Sequence, residues 1–150
     1  MASASALPHH PTATQLGRKI VAGAAGGLAG GLVFGMLMSL MGMLPMVASM
    51  VGSDSAAVGF GVHMVISVLI GWGLVIPLGG MLSTSYAKGA VIGLAYGAMW
   101  WVLGPLAIMP AMLGMPLFAI DAMAMFSLMG HLVYGVILGL VAVRILKGQV

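Results

Sequence analysis

The 150-residue chain has no cysteine. This excludes disulfides, a thiol nucleophile and thiolate metal sites. Charge is almost as scarce. There is no glutamate, the only acidic residues are Asp54 and Asp121, and charged residues make up 5% of positions, against roughly a quarter in soluble domains. Such a chain cannot clothe a water-facing surface. With no buried carboxylate and no nucleophile beside a base in the pattern, it reads as non-enzymatic. The sequence pI is near 9.7, but the five basic residues are scattered over four places and form no basic face, so no nucleic-acid partner is expected.

What remains is apolar. Hydrophobic residues make up 62% of the chain, and the mean hydropathy is +1.21. Four stretches exceed the roughly 20 helical residues needed to cross a bilayer. They run from about Lys19 to Leu44, Val58 to Gly80, Ala87 to Met109 and Asp121 to Leu146. Pro45 with Gly52-Ser53-Asp54-Ser55, then Ser83-Thr84-Ser85, then Pro110, Gly114 and Pro116 break them apart. Ser85 is placed to cap the third helix, and Asp54 and Asp121 to cap the second and fourth. The predicted fold is all-α, an integral membrane four-helix bundle in a single domain over residues 18–150. Residues 1–17 lack the basic, apolar and cleavable order of a secretory signal and read as a mobile cytoplasmic tail, with His9 and His10 in it.

Alternate loops fall on opposite sides, and the charges sort completely. Arg18, Lys19, Lys88, Arg144 and Lys147 share one side; Asp54 and Asp121 share the other. The excess of Lys and Arg marks the cytoplasmic side, so both termini of this cell (inner) membrane protein are expected inside.

The chain also reads as a duplication of units at about 19–80 and 87–146. At an offset of 62, Gly27, Gly31, Leu32, Gly35 and Gly42 fall on Gly89, Gly93, Leu94, Gly97 and Gly104; at an offset of 68, His63, Val65, Val68 and Gly71 fall on His131, Val133, Val136 and Gly139. Each unit is a helical hairpin, so the copies share one orientation and a pseudo-twofold axis along the membrane normal. His63 follows Asp54 by nine residues and His131 follows Asp121 by ten, which puts both roughly 13–15 Å below the outer surface. Gly23, Gly27, Gly31 and Gly35, and again Gly89, Gly93 and Gly97, recur every four residues as small-residue ridges. From these ridges we expect helices one and three to cross near the axis. The histidine-bearing helices would then flank that contact, leaving two equivalent single sites, one shared site or an empty pair as the readings of the histidines.

The stretch His131-Leu132-Val133-Tyr134-Gly135-Val136-Ile137-Leu138-Gly139, after Trp100-Trp101-Val102-Leu103-Gly104-Pro105, resembles small four-helix membrane proteins of bacteria and haloarchaea with a C-terminal His-Leu-x-Tyr-Gly-x-x-Leu-Gly helix. The resemblance covers residues 86–146 and implies a fold rather than a chemistry. The first unit keeps the histidine but has Ile66-Ser67 where the second has Tyr134-Gly135, so any role of Tyr134 need not be mirrored.

Ionisable side chains are costly in hydrocarbon, which makes His63 and His131 the candidate site. One reading is packing: a neutral imidazole donates to a carbonyl of a neighbouring helix. A second is a cofactor, with the two as axial ligands of haem b, or each holding a chlorin. A third is copper. Thirteen of the 16 methionines lie in the outer half or outer loops, and thioether with imidazole suits Cu(I); the candidate metal ligands are His63, His131, Met64 and Met129. Methionine is equally a flexible filler of apolar gaps. The expected function is therefore a small accessory or scaffold subunit that contacts lipid and other membrane subunits. A cofactor-binding protein is the alternative, and a small transporter or proton pathway a lesser one.

Overall fold

A computed structural model describes residues 13–82 and 84–147. His9, His10, Ser83 and most of the expected tail lie outside the described residues. Six α-helices follow one another: α1 (Ala13–Leu40), α2 (Leu44–Ser49), α3 (Ala56–Leu82), α4 (Tyr86–Leu103), α5 (Met109–Leu113) and α6 (Ala122–Leu146). A π-helical turn (Gly104–Ile108) joins α4 to α5, so Tyr86–Leu113 is one long segment. That segment, α1, α3 and α6 are each long and apolar enough to cross a membrane. The expected all-α four-helix bundle is what the chain forms.

The helix ends follow local chemistry. Ser85 Oγ accepts from Lys88 N (3.1 Å), and Asp121 Oδ1 accepts from Ala124 N (2.8 Å). These caps satisfy amides that have no partner within the helix. Asp54 does not cap α3; Ser55 holds that place, with its Oγ 3.5 Å from Val58 N. Gly42 (φ +67°) turns the chain out of α1, and Gly114 (φ +67°) ends α5 in the left-handed conformation that glycine adopts without strain. α1 starts at Ala13, so residues 13–17, assigned to the tail, are instead its first turn.

Two prolines shape the third span. Pro105 and Pro110 have no amide hydrogen to return to a carbonyl four residues earlier. The chain widens at this point, and Gly104 C=O accepts from Met109 N, five residues on. Leu106 C=O, left without its α-helical donor by Pro110, accepts instead from Phe118 N at 2.8 Å. That bond folds the loop after α5 back over the π turn and holds Phe118 at φ 54°, a conformation that costs a non-glycine residue about 1–2 kcal/mol.

The helices form a ring in which α1 packs on α3 and α6, and α6 packs on α1 and α4; the seam between α3 and α4 is loose. This corrects the expectation that helices one and three cross near the axis. α1 and α4 occupy opposite corners and share no interface, and α1 with α6 forms the central pair. Each glycine ridge instead closes its own hairpin. Gly23, Gly27, Gly31 and Gly35 face Trp72, Ser67 and Phe60 of α3, while Gly89, Gly93 and Gly97 face the carbonyls of Gly139, Gly135 and His131 on α6. A second ridge on α1, Gly26 and Gly30, takes Leu138 and Tyr134 of α6, and Gly130 of α6 receives the Phe34 ring.

The two hairpins are not in the same register. Gly71 meets Gly23 and Gly27, whereas its counterpart Gly139 meets Gly89 and Gly93, the counterparts of Gly27 and Gly31. This is a slip of one helical turn. The position matching Gly23 is Ser85, which caps α4 from outside the helix, so the second ridge has no glycine there to pack.

Candidate functional site

All five basic side chains gather at one end of the bundle. Arg18 donates to Ile145 O (2.6 Å), Lys19 to Ile76 O (3.0 Å), and Lys147 Nζ sits 4.7 Å from the Tyr86 ring centre. Asp54 and Asp121 lie at the other end, at the starts of α3 and α6. In the acidic half, where α3 and α4 part, is a cavity of about 210 Å³. Its deep end carries Phe34, His63, Ser67, His131 and Tyr134; Ile66, Ile70, Trp100, Gly104 and Pro105 form the walls. Met38, Met43, Met46, Met50, Met109, Met115 and Met123 line the rest, with Asp121.

The structure brings both predicted histidines into this one cavity. They flank Phe34, whose ring centre is 5.2 Å from that of His63 and 4.8 Å from that of His131, both in edge-on geometry. The two imidazoles thus lie in one cavity, on either side of the aromatic ring that separates them. His63 Nε2 donates across the helix pair to Gly31 O (3.0 Å), whereas His131 Nδ1 donates along its own helix to Ser127 O (2.8 Å). Because a carbonyl only accepts, these bonds assign the proton of a neutral imidazole to Nε2 in His63 and to Nδ1 in His131. The other nitrogen of each ring keeps a bare lone pair. His131 Nε2 lies beside Gly104 of the π turn, 3.9 Å from where a Cβ on that glycine would sit.

Each histidine also has a serine one turn away. Ser67 Oγ is 3.5 Å from His63 Nε2 and Ser127 Oγ is 3.3 Å from His131 Nδ1. Both hydroxyls sit beside the nitrogen that carries the proton, so neither imidazole is placed to take a proton from its serine. Aromatic donors tie the remaining helices: Tyr134 OH to Ser67 O (2.6 Å), Tyr96 OH to Ile70 O (2.9 Å), Trp72 Nε1 to Ile20 O (2.9 Å) and Trp101 Nε1 to Ala124 O (2.8 Å). Tyr134 thus bridges α6 to α3 through a bond that Ile66, its counterpart, cannot copy. Trp100 has its Nε1 buried and its ring edge-on to that of Tyr96, 6.2 Å between centres.

The expected cofactor and metal sets do not assemble. A haem shared by His63 and His131 has no room, because Phe34 occupies the space between the imidazoles. A chlorin held from the lipid side needs an imidazole at the surface; His63 is only 8% exposed, while His131 is partly buried. Of the proposed copper ligands, Met129 is 61% exposed on the outside of the bundle, while Met64 packs its sulfur towards Gly31. Among the described residues, no group of three or more His, Asp or Glu side chains is placed to hold a metal ion.

The π turn, the place of Gly104 beside His131 and the buried Trp100 nitrogen were not anticipated from the sequence. The signal available was Gly104-Pro105 followed at a short interval by Pro110, a proline pair that an unbroken α-helix cannot hold. Comparison with family models, with curated proteins and with solved structures returns no match.

Proposed function

We propose that this is a non-enzymatic, multi-pass protein of the cell (inner) membrane, with both termini cytoplasmic, that holds a small and largely apolar ligand in its outer half. The orientation rests on the five basic residues gathered at one end, which the positive-inside rule assigns to the cytoplasm. The binding role rests on one observation: His131, whose Nε2 is left as an acceptor by the Nδ1–H bond to Ser127, lines a methionine-rich cavity beside Gly104. An apolar pocket with a few converging polar groups is the usual form of a small-molecule site, and methionine suits it because the side chain adapts its shape. Binding is favoured over transport because the polar groups stop at this level. Among the described residues, buried polar side chains other than tyrosine are His63, Ser67 and Ser127, while Leu74, Val75, Leu82, Leu138 and Val143 fill the core towards the basic end.

The test is to purify the protein from its native host in mild detergent, extract it with organic solvent and identify small molecules by mass spectrometry. We expect one species at near-stoichiometric yield from wild type and its loss from Gly104→Leu, which places a side chain beside His131. Equal recovery from both proteins refutes the reading.

The accessory-subunit role has separate support. The third span is the least covered: 17% of its most apolar window is buried, against 44% for α1 and for α6. Its outer face, with Val91 and Leu94, is where a larger membrane subunit would pack. A photo-crosslinker at Leu94 in native membranes should capture one defined protein, and labelling of lipid alone counts against this role.

A further inference from the structure

Both imidazoles spend their N–H on backbone carbonyls, so what they offer beyond those bonds is an acceptor. The Nε2–Cδ2 edge of His63 is turned to α1, towards Gly31 and Gly35, which leaves its bare Nδ1 on the far side of the ring. The His131 acceptor lies beside Gly104, and both residues line the cavity. A molecule that is itself only an acceptor, such as a quinone or an ether, would set lone pair against lone pair there. The Nε1–H of Trp100, a residue of the cavity wall, is not open to such a molecule: it is fully buried, and the indole stands edge-on to the Tyr96 ring. A hydroxyl group supplies the donor that this acceptor lacks; a bare carbonyl does not.

Charge and size narrow the class further. The one charged side chain in the lining is Asp121, which is engaged in capping α6 and lies ten residues, or about 15 Å, above His131 along that helix. Neither a cation nor an anion at the histidine level would find a neutralising partner, and an unpaired charge at this depth is heavily disfavoured. An apolar cavity of ~150 Å³ accepts benzene. A cavity of about 210 Å³ therefore takes one ring and a short substituent.

Resting on the ligand-binding role above, we propose that the cavity selects a small uncharged lipophile carrying a hydroxyl donor, an alkylphenol-sized molecule whose O–H binds His131 Nε2 while its apolar body lies among the methionines and Ile66, Ile70 and Pro105. Leaving a buried acceptor unpaired costs more than forming the bond gains, so donor-bearing ligands are selected over isosteres that lack the donor.

The test compares 4-ethylphenol with 4-ethylanisole, which differ in the O–H, on ¹⁵N-histidine-labelled full-length protein in detergent micelles. Binding is read by the imidazole ¹⁵N shifts and by thermal stability. We expect saturable binding of the phenol with a shift confined to one imidazole acceptor nitrogen, and binding of the anisole weaker by about fivefold to tenfold. His131→Phe should bring the phenol down to the anisole's affinity, and Gly104→Leu should abolish saturable binding of both. The wild-type ¹⁵N shift is diagnostic by itself if His131→Phe fails to fold. Equal affinity for the two compounds, with Gly104→Leu still blocking them, overturns the donor rule and leaves the binding role standing. No saturable binding of either compound overturns both.

Discussion

Replacing Gly93 with alanine probes the tightest feature of the bundle. Gly93 packs on the carbonyl of Gly135, and a Cβ at position 93 would overlap that oxygen and crowd the Gly139 Cα. The obstacle is backbone, so no side-chain rotation can relieve it; α4 and α6 must separate by about 1 Å. A gap of 0.5–1 Å forfeits a quarter to a half of each dispersion contact along the seam, and overpacking of this kind costs about 1–3 kcal/mol. Against this, alanine is favoured over glycine in a helix by roughly 0.5–1 kcal/mol. The net expectation is destabilisation by about 1–2 kcal/mol. The matched control is Gly61→Ala on α3, where an added Cβ meets nothing within 4 Å and only the helix-propensity gain remains. Both variants are compared with wild type by SDS-induced unfolding in mixed micelles, followed by circular dichroism. If Gly93→Ala is neutral, or as stabilising as Gly61→Ala, the backbone contact between α4 and α6 is refuted.

Three further outcomes follow from single contacts. Tyr134→Phe removes the 2.6 Å bond to Ser67 O and should cost about 0.5–1.5 kcal/mol in the same unfolding assay, near the ~0.6 kcal/mol average for polar contacts between membrane helices; an unchanged midpoint removes the bridge between α6 and α3. Asp121→Ala deletes the α6 cap and should cost about 0.5–2 kcal/mol, with Asp121→Asn or Asp121→Ser recovering most of it. Reporter fusions after Val150 should be active only in the cytoplasm, and periplasmic activity overturns the orientation drawn from charge.

The spans were legible because a helix exposed to lipid must be apolar over its whole length, whatever it packs against. Ser85 and Asp121 were legible as caps because capping needs only a side-chain oxygen within the same few residues. Asp54 failed that test because Ser55, one residue nearer the helix, occupies the capping position. The short helix α2 and the course of the third span through Pro105 and Pro110 were read as loop and helix end. Proline marks a broken hydrogen-bond ladder but does not say whether the chain stops there or widens and continues.

At the site, the sequence by itself determined which residues were unusual: two histidines in apolar helices, at a common level, beneath a methionine-rich region. Only the tertiary structure decided how they meet. Glycine spacing marks a helix face that permits close approach but not the helix that comes to it. α1 carries two such faces, and α6 claimed one of them through Tyr134, Leu138 and the Phe34–Gly130 contact. That choice drew both imidazoles around Phe34 and left the α3–α4 seam open as the cavity. It depends on interlocking shapes from residues about 100 positions apart, which no periodicity along the chain encodes.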